Sequence, residues 1–326
     1  MFTAFYFSSH LYFVKKAHFI YILYILYMYN VTEFLNSYKN NLVDKIEVMD
    51  SQYKIIHPVK YLQDHLAQDI RPDGRQFLSF RPISVNISSI THADSSAIFK
   101  IGNTTVVCGI KAELAAPKAE SPECGYIVPN IELPPLCSPK FRPGPPSDQA
   151  QVITKLIENI LRNSAAIDLK DLCVCKGKLV WVLYCDLVCI NYDGSIIDAC
   201  IGALTATLST LTLPETLYNV ETGRVSVNST KRIRFLVKAL PVSITFAIFN
   251  DQLLVADPTD DEESLCLGRL TIVMNEEKIC CIHKPGGIPI SQDLFSKSLS
   301  KCKKRAELIR SLIDAAISTI KQETFK

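Results

Sequence analysis

The stretch from Lys178 to Ser209 places the tightest constraint on the fold. Residues 179–190 form an apolar run rich in β-branched and aromatic side chains, which is typical of a strand covered on both faces. The run ends at Asp193-Gly194, a dipeptide that favours a tight turn because glycine accepts a positive φ without steric cost. From Ser195 onward the apolar residues leave no polar face, which predicts a helix buried on nearly all sides and entered through a serine or aspartate cap.

The junction between this strand and helix has the geometry of an anion site without its chemistry. A helix N-terminus offers unpaired N–H groups and the positive end of the helix dipole, both of which attract a phosphate. The first turn here reads Ser195-Ile196-Ile197-Asp198, so it supplies no cation and adds an acid. We therefore expect this helix end to repel an anion.

The composition limits which classes of function are open. The chain has 326 residues, of which 48% are apolar and 21% charged, so it can build a sizeable core in two domains or one elaborate one. The net charge of +2 excludes nucleic-acid binding through bulk charge, so any such binding needs a local patch. The 12 cysteines contain no CxxC pair, which favours small buried hydrophobes in a reducing compartment over a zinc site.

Residues 1–48 differ in character from the rest. Phe19 to Tyr29 is an uninterrupted apolar run that is shorter than the roughly 18 residues a membrane span requires, and no small-residue cleavage site follows it. We interpret residues 1–48 as a gene-model extension, disordered or non-native, with Met49 as the start. A membrane anchor is the alternative. Mass spectrometry of the N-terminus of the endogenous protein tests this, because a peptide from residues 1–40 would contradict the extension.

Periodicity predicts the remaining elements. Helices are expected from Pro58 to Ile70, from the Ser147 cap to Asn163, and from Asp293 to Lys321. Strands are expected at Arg81–Ile90, Ser96–Ile101, Thr104–Leu114, Arg234–Leu240, Ser243–Phe249, Gln252–Ala256 and Ile279–His283, with a break at Leu213-Pro214. The first three strands form a meander, and the order of elements indicates two α/β halves instead of an alternating Rossmann series.

Two further segments carry candidate functional residues. Residues 115–146 are rich in proline and enclose Lys140-Phe141-Arg142, two cations around an aromatic ring. This triplet suits single-stranded RNA through phosphate contact and base stacking, or it is a solvated loop with the phenylalanine in the core. The basic run Lys301–Arg305 is a solvated helix face or a contact for RNA or a partner subunit.

Residues 257–263 form the one dense acidic cluster of the chain, just after a predicted strand. Carboxylates at a strand end can hold Mg²⁺. The alternative, which we favour, is a solvated capped turn leading into residues 264–274.

Several motifs along the chain resemble the RNase PH family. Those shared with the family at large are Arg71-Pro-Asp-Gly-Arg75, Phe80-Arg-Pro-Ile83, Gly102-Asn-Thr-Thr-Val106, Asp193-Gly194 and Asp257-Pro-Thr259. Those that are more similar to the ring subunits of the eukaryotic RNA exosome are Leu133-Pro-Pro-Leu-Cys137, Phe141-Arg142, Gly144-Pro-Pro146, Lys178 to Asp186 and His283-Lys-Pro-Gly-Gly287. The resemblance runs from about Met49 to the C-terminus.

The resemblance implies an α/β (α+β) RNase PH fold: split β-α-β units with mixed sheets around a buried central helix, and a C-terminal helix. It implies one RNase PH-like domain over residues 49–210 and a second over 211–326. It further implies a hetero-oligomer with other RNase PH-like exosome ring subunits and cap subunits, contact with RNA and none with a membrane, and a location in the nucleus and nucleolus and also the cytoplasm. No cofactor and no metal are expected.

The chain departs from the family pattern where active members bind phosphate. In that pattern Gly-Thr-Arg follows the Asp-Gly turn, whereas Ser195, Ile196 and Ile197 stand here, so an isoleucine replaces the phosphate-binding arginine. The family also places two aspartates six residues apart, one for metal and one for proton transfer. Asp257 matches the first position and Glu263 occupies the second.

These departures predict an inert chain. Phosphorolysis brings a doubly charged nucleophile to a polyanion, so it depends on a fixed cation, and losing a bidentate arginine costs roughly a thousandfold or more in rate. We expect a non-catalytic ring subunit in which Lys140 and Arg142 line the RNA channel or a subunit interface. The alternatives are a phosphorolytic enzyme in which Lys140 or Arg142 supplies the missing cation, and a stand-alone RNA-binding protein.

Overall fold

The computed structural model describes residues 52–219, 222–249, 253–276 and 278–323, and the chain divides into two compact units at the boundary between Pro72 and Asp73. The predicted extension over residues 1–48 and its apolar run lie outside the described residues. The predicted boundary near residue 210 stays a prediction. Within the described ranges, no helix is both long and apolar enough to cross a bilayer.

Over its described residues, 52–72, the first unit contains the helix α1 at Pro58–Leu66, preceded by a short helical segment at residues 52–56. A proline in the first turn starts α1 without loss, because the first N–H groups of a helix have no partner within it. The predicted helix therefore exists but stops before Ile70. Of the apolar residues of α1, Tyr61 and Leu62 are buried whereas Val59 is exposed.

The second unit holds the other described elements. Its helices are α2 Asp148–Ser164, a 3₁₀ helix Leu169–Leu172, α3 Ile196–Ser209, α4 Asp260–Leu265 and α5 Gln292–Glu323. Its first six strands are β1 Ile83–Ile87, β2 Ser95–Ile101, β3 Thr104–Ala115, β4 Tyr126–Glu132, β5 Cys173–Cys175 and β6 Leu179–Asn191. The other strands are β7 Thr212–Tyr218, β8 Val225–Arg234, β9 Val242–Phe249, β10 Leu253–Ala256, β11 Gly268–Asn275 and β12 Lys278–His283.

A six-stranded mixed sheet forms one side of the second unit, in the order β1-β2-β3-β6-β4 with β5 also paired to β6. The meander β1-β2-β3 is antiparallel, as predicted. β4 runs parallel to β6, with Tyr126 opposite Val182 and Glu132 opposite Val188. The proline-rich stretch over residues 115–146, where no strand was predicted, therefore contains β4. Pro129 is tolerated there because β4 is an edge strand of this sheet.

The second sheet is antiparallel, in the order β10-β9-β11-β12, and β7 pairs with β8 in a separate hairpin. The predicted strand Arg234–Leu240 is wrong, because β8 ends at Arg234 and residues 235–240 contain no strand. The predicted break at Pro214 is also wrong. Pro214 lies inside β7 at a register shift, which is where an antiparallel strand accepts a residue that cannot donate a ladder hydrogen bond.

The central helix α3 packs between the two sheets, against β2 and β3 on one side and β9 on the other. All of its residues from Asp198 to Ser209 are buried, so the predicted buried central helix and the predicted fold class are confirmed. β6 is less enclosed than its apolar run predicts. Its residues from Leu183 alternate between buried and more accessible positions, and Tyr184 and Asp186 are exposed.

The middle of α3 approaches β2 so closely that only glycine fits at position 202. A Cβ placed on Gly202 would lie 2.6 to 2.8 Å from three ring atoms of Phe99, which is itself fully buried. The absence of a side chain here sets the distance between helix and sheet.

We expect Gly202→Ala to destabilise the protein by about 1–2 kcal/mol. Overpacking a core lowers the free energy of unfolding by about 1–3 kcal/mol, and the better helix propensity of alanine offsets up to about 1 kcal/mol of this loss. Urea unfolding of the purified chain measures the change. In a Phe99→Leu background the same substitution should cost much less, and an equal cost in both backgrounds would contradict the proposed clash.

α2 begins as its sequence predicts. Ser147 accepts a hydrogen bond from the Ala150 N–H at 3.3 Å and so caps the helix. The large apolar residues of α2 are buried except for Val152, which is 56% exposed. All 12 cysteines have free thiols, and six of them are buried. Burial raises the pKa of Cys108 to about 12, consistent with its interpretation as a small buried hydrophobe.

Candidate functional site

The turn between β6 and α3 is pressed against the segment that follows β10. Gly194 and Ser195 both have positive φ values, +71° and +51°. A Cβ on Gly194 would lie 2.5 Å from the Pro258 carbonyl oxygen, so glycine is needed for both the turn and the close approach. The Ser195 hydroxyl donates to the same oxygen at 3.0 Å and makes no cap hydrogen bond, so the predicted side-chain cap of α3 is wrong.

A carboxylate of the chain itself occupies the N-terminus of α3. Glu263 Oε1 accepts a hydrogen bond from the Ser195 N–H at 2.7 Å, and its Oε2 lies 3.2 Å from Arg269 Nη1. Burial raises the pKa of Glu263, while the Ser195 N–H and Arg269 act in the opposite direction. Glu263 thus takes the position that the helix dipole makes favourable for an anion.

Asp257 is enclosed by two arginines. Arg81 contacts both of its carboxylate oxygens, at 2.6 and 3.0 Å, and the Arg81 backbone N–H donates at 2.8 Å. Arg75 Nη1 lies 3.3 Å from Asp257 Oδ2. Burial would raise the pKa of Asp257, but the hydrogen bonds and charge of Arg81 outweigh it and hold the pKa below its ordinary value. The oxygens of Asp257 are therefore committed to internal donors.

The other cations around the junction are paired in the same way. Arg81 Nη1 lies 3.3 Å from Asp193 Oδ2 and donates to the Asp193 carbonyl at 2.7 Å. Lys140 Nζ lies 2.5 Å from Asp260 Oδ2. Together with Arg75 and Arg269, these cations neutralise carboxylates of the chain, and none of them presents an unpaired charge to an incoming phosphate.

Asp198 is another buried carboxylate of the region. It accepts hydrogen bonds from the Thr245 N–H at 2.7 Å and from the Thr245 hydroxyl at 3.0 Å. Burial raises the pKa of Asp198 to about 7, although the donors from Thr245 oppose the change. Asp198, whose acidic side chain we expected to repel an anion, therefore also connects α3 to β9 through hydrogen bonds.

Comparison with known proteins assigns this arrangement to a family. The family model described as 3′ exoribonuclease family, domain 1 (RNase PH) matches residues 79–214, and the model for domain 2 matches residues 239–302. The chain is 44% identical over 258 residues to the exosome complex component rrp43 of Schizosaccharomyces pombe, which covers 79% of this chain and 95% of that protein. The chain belongs to the RNase PH family.

More distant relatives and solved structures agree with this assignment. The exosome complex component Rrp42 of Pyrococcus furiosus is 38% identical over 255 residues, 78% of this chain and 91% of that protein. A solved Archaeoglobus fulgidus exosome with RNA bound to the active site superposes with a TM-score of 0.67 at 30% identity, covering 82% of this chain and 97% of the matched chain. The predicted RNase PH fold is therefore confirmed.

The acidic cluster at residues 257–263 is a capped turn, as we favoured, but it is only partly solvated, because Asp261 is exposed whereas others are buried. Thr259 and Glu262 form a reciprocal capping box at the start of α4. Asp257 and Glu262 are only 3% and 2% exposed. In the parts of the chain that the structure describes, no group of three His, Cys, Asp or Glu side chains is placed to hold a metal ion.

The three residues of the candidate RNA segment, Lys140, Phe141 and Arg142, have different environments in the structure. Phe141 is buried and packs edge-on against Tyr192, with ring centroids 5.3 Å apart, so base stacking on this ring is excluded and the core interpretation is right. Lys140 is turned towards Asp260, whereas Arg142 is exposed. A role for Lys140 and Arg142 at an RNA channel or interface stays a prediction.

The basic run Lys301–Arg305 is only partly a solvated face. Lys303 and Lys304 are exposed, but Cys302 is buried. Arg305 Nη2 donates to the Arg81 carbonyl at 2.7 Å, and its guanidinium lies 4.7 Å from the centre of the Phe80 ring. Arg305 therefore joins α5 to the segment that supplies Arg81.

Sequence reasoning missed the arginines of this RNase PH site. Arg75 and Arg81 lie inside the motifs that carry the family resemblance, yet the sequence assigned neither a role. One signal was available, because Arg81 enters a strand between apolar neighbours, and a buried arginine requires an anionic partner. Its partner Asp257 is 176 residues away, and no local pattern identifies it.

Proposed function

We propose that this chain is a non-catalytic ring subunit of an RNA exosome, and that it supports 3′ to 5′ RNA processing and degradation through scaffolding and formation of an RNA channel. Its relatives from fungi and archaea are named exosome complex components, and the chain covers 95% of the fungal one. Other RNase PH-like ring subunits and cap subunits are its partners, in a hetero-oligomer that contacts RNA. We place it in the nucleus and nucleolus and also in the cytoplasm.

The proposal of inertness rests on one observation: Glu263 occupies the N-terminus of α3. Inorganic phosphate would have to displace a buried carboxylate that already accepts from Ser195 and pairs with Arg269. The next helix residues are Ile196 and Ile197, so no guanidinium compensates the added charge. Electrostatic stabilisation by a fixed cation is the main contribution expected of such a site, and this one supplies an anion instead.

The remodelled-enzyme alternative requires a cation from the loop. Lys140 is already paired with Asp260, so recruiting it would expose that carboxylate beside the incoming phosphate. Arg142 is exposed and would have to turn inward, at the cost of desolvating its charge. Both routes oppose catalysis. The stand-alone alternative is tested by gel filtration with RNase PH-like partners, because a ring subunit should co-elute with them.

A phosphate-dependent RNA degradation assay tests inertness. We expect the chain, co-purified with its RNase PH-like partners, to release nucleoside diphosphates at least about a thousandfold more slowly than an active RNase PH enzyme assayed in parallel. The expected reason is the missing cation at Ile197 combined with the carboxylate of Glu263.

Two variants in the same ring sharpen the result. Ile197→Arg restores the cation, and Ile197→Arg with Glu263→Gln also removes the competing negative charge. Robust release by the wild-type ring that disappears when Lys140 or Arg142 is changed to Ala would overturn the proposal. A silent wild-type ring supports it, whether or not either variant gains activity.

A further inference from the structure

The outer face of α5 carries an unpaired basic stripe. Between residues 294 and 306 the helix contains five cations and no acid. Lys297, Lys301 and Lys304 follow one another at spacings of four and three residues, which places them on the same side of a helix with 3.6 residues per turn. We call these three residues the lysine stripe. Lys297 and Lys304 are exposed and Lys301 is half-buried.

Within the described ranges none of the members of the lysine stripe forms an ion pair, although Asp293 and Glu307 lie four and three residues from Lys297 and Lys304 on the same helix. Exposed lysines elsewhere behave differently, because several pair with a carboxylate of the chain: Lys140 with Asp260, Lys155 with Glu158, Lys176 with Glu123, Lys231 with Glu215 and Lys238 with Asp168. Within the described ranges the stripe differs from these paired lysines, although single exposed lysines such as Lys100 and Lys111 also form no ion pair.

The stripe is also unlike an ordinary solvated helix face. On α2, Glu158 lies between Lys155 and Arg162 and contacts both, at 2.7 and 2.9 Å, in the alternating pattern that supports an exposed helix. On α5, Lys297 and Lys301 are like charges four residues apart, and Lys301 and Lys304 are like charges three residues apart. Such pairs destabilise a helix, so this arrangement does not serve the helix itself.

The buried side of α5 is fixed, so the stripe cannot rotate inward. Cys302, Ala306, Ile309 and Ile313 are almost fully buried, and Arg305 is held by the Arg81 carbonyl. The lysines therefore remain on the outer face of α5, where their positive charges follow one another along the helix axis. Their spacing along the helix axis, about 1.5 Å per residue, spreads them over roughly 10 Å.

We infer that the lysine stripe of α5 is a binding site for the phosphate backbone of single-stranded RNA, separate from the degenerate site at the N-terminus of α3. A polyanion is the occupant whose charge complements three unpaired cations in a line. Phosphate contacts of this kind position a strand without reading its sequence. This inference rests on the proposed function, because it takes RNA as the polyanion that the assembled complex handles.

The test is a salt titration of RNA binding by the assembled ring. The stripe variant carries Lys297→Gln, Lys301→Gln and Lys304→Gln, and the probe is a single-stranded RNA of mixed sequence. Each phosphate contact with a single strand contributes about 0.7 to the slope of log K against log salt. We expect the slope to become shallower by up to about 2, with affinity up to about a hundredfold lower near 0.1 M salt.

A matched control removes the same net charge elsewhere. Lys155→Gln, Lys176→Gln and Lys231→Gln change three exposed lysines that already pair with glutamates, so this variant should bind RNA as the wild type does. Wild-type affinity and slope in the stripe variant would overturn the inference. So would a stripe variant that fails to join the ring while the control joins, since the face would then be a protein interface.

Failure of the proposed function would look different. In that case the wild-type chain itself would not co-elute with RNase PH-like partners. The salt titration would then be repeated on the chain alone, where the same loss in the stripe variant would support the stripe and an unchanged slope would overturn it.

Discussion

Arg81→Met should destabilise the protein by about 3–5 kcal/mol, because it leaves a buried carboxylate without its main partner. Arg81 is 6% exposed and Asp257 is 3% exposed, and the guanidinium contacts both carboxylate oxygens. Arg75 remains, but its contact with the carboxylate, at 3.3 Å, cannot replace those of Arg81. Urea unfolding of the purified chain measures the change in the free energy of unfolding.

The same substitution at a surface ion pair is the control. Arg162 pairs with Glu158 at 2.9 Å, but its side chain is 71% exposed, so Arg162→Met should cost less than about 1 kcal/mol. The double variant Arg81→Met with Asp257→Asn removes both buried charges, keeps a residue that tolerates the positive φ of 50° at this position, and should recover part of the lost stability. Equal losses from the two single arginine variants would show that burial does not govern the Arg81–Asp257 pair.

The difference in stability between Asp198→Asn and the wild type should change by about 4 kcal/mol between pH 4 and pH 8. Burial raises the pKa of Asp198 to about 7 in the folded protein, against about 3.9 in an unfolded chain. As the pH rises between these values, the unfolded chain releases the proton while the folded protein retains it. The wild type therefore loses about 1.4 kcal/mol per pH unit from this group, until the folded pKa is reached.

Asparagine fits the hydrogen-bonding environment without ionising. Its carbonyl oxygen can accept from the Thr245 N–H, and its amide can donate to the Thr245 hydroxyl, which can in turn donate to Thr271 at 3.0 Å. The variant should thus gain on the wild type as the pH rises. Urea unfolding at a series of pH values gives the comparison, since the other titrating groups cancel in the difference.

A second variant separates ionisation from packing. Asp198→Ala also removes the ionising group but loses the hydrogen bonds to Thr245. It should have a different absolute stability and the same dependence of the difference on pH. A difference that stays constant from pH 4 to pH 8 for both variants would show that Asp198 does not hold a proton in the folded protein.

Local patterns were sufficient where neighbours in sequence decide the structure. The strand, Asp-Gly turn and buried helix around Ser195 were predicted correctly, because an apolar run, a turn dipeptide and a helix without a polar face each fix local geometry. The Ser147 cap of α2 and the capped turn that precedes α4 are of the same kind. The replacement of the phosphate-binding arginine by Ile197 also needed only the motif.

Local sequence patterns failed to predict strands whose partners lie far away in the sequence. β4 lies in a proline-rich segment that lacks periodicity, and it becomes a strand because β6 offers a parallel partner more than fifty residues later. Proline inside β7 looked like a break because its tolerance depends on a register shift against β8. Neither partner can be identified from the segment itself, since cross-strand contacts decide whether a segment becomes a strand.

The sequence by itself determined the family, the buried central helix and the loss of the phosphate-binding arginine, because these follow from motifs and local periodicity. Only the tertiary structure decided how the remaining charges are used. Folding brings Glu263 to Ser195, and Arg81 to Asp257, across 68 and 176 residues of chain. Burial then makes these pairings obligatory, because a charge removed from water must find a partner in the protein.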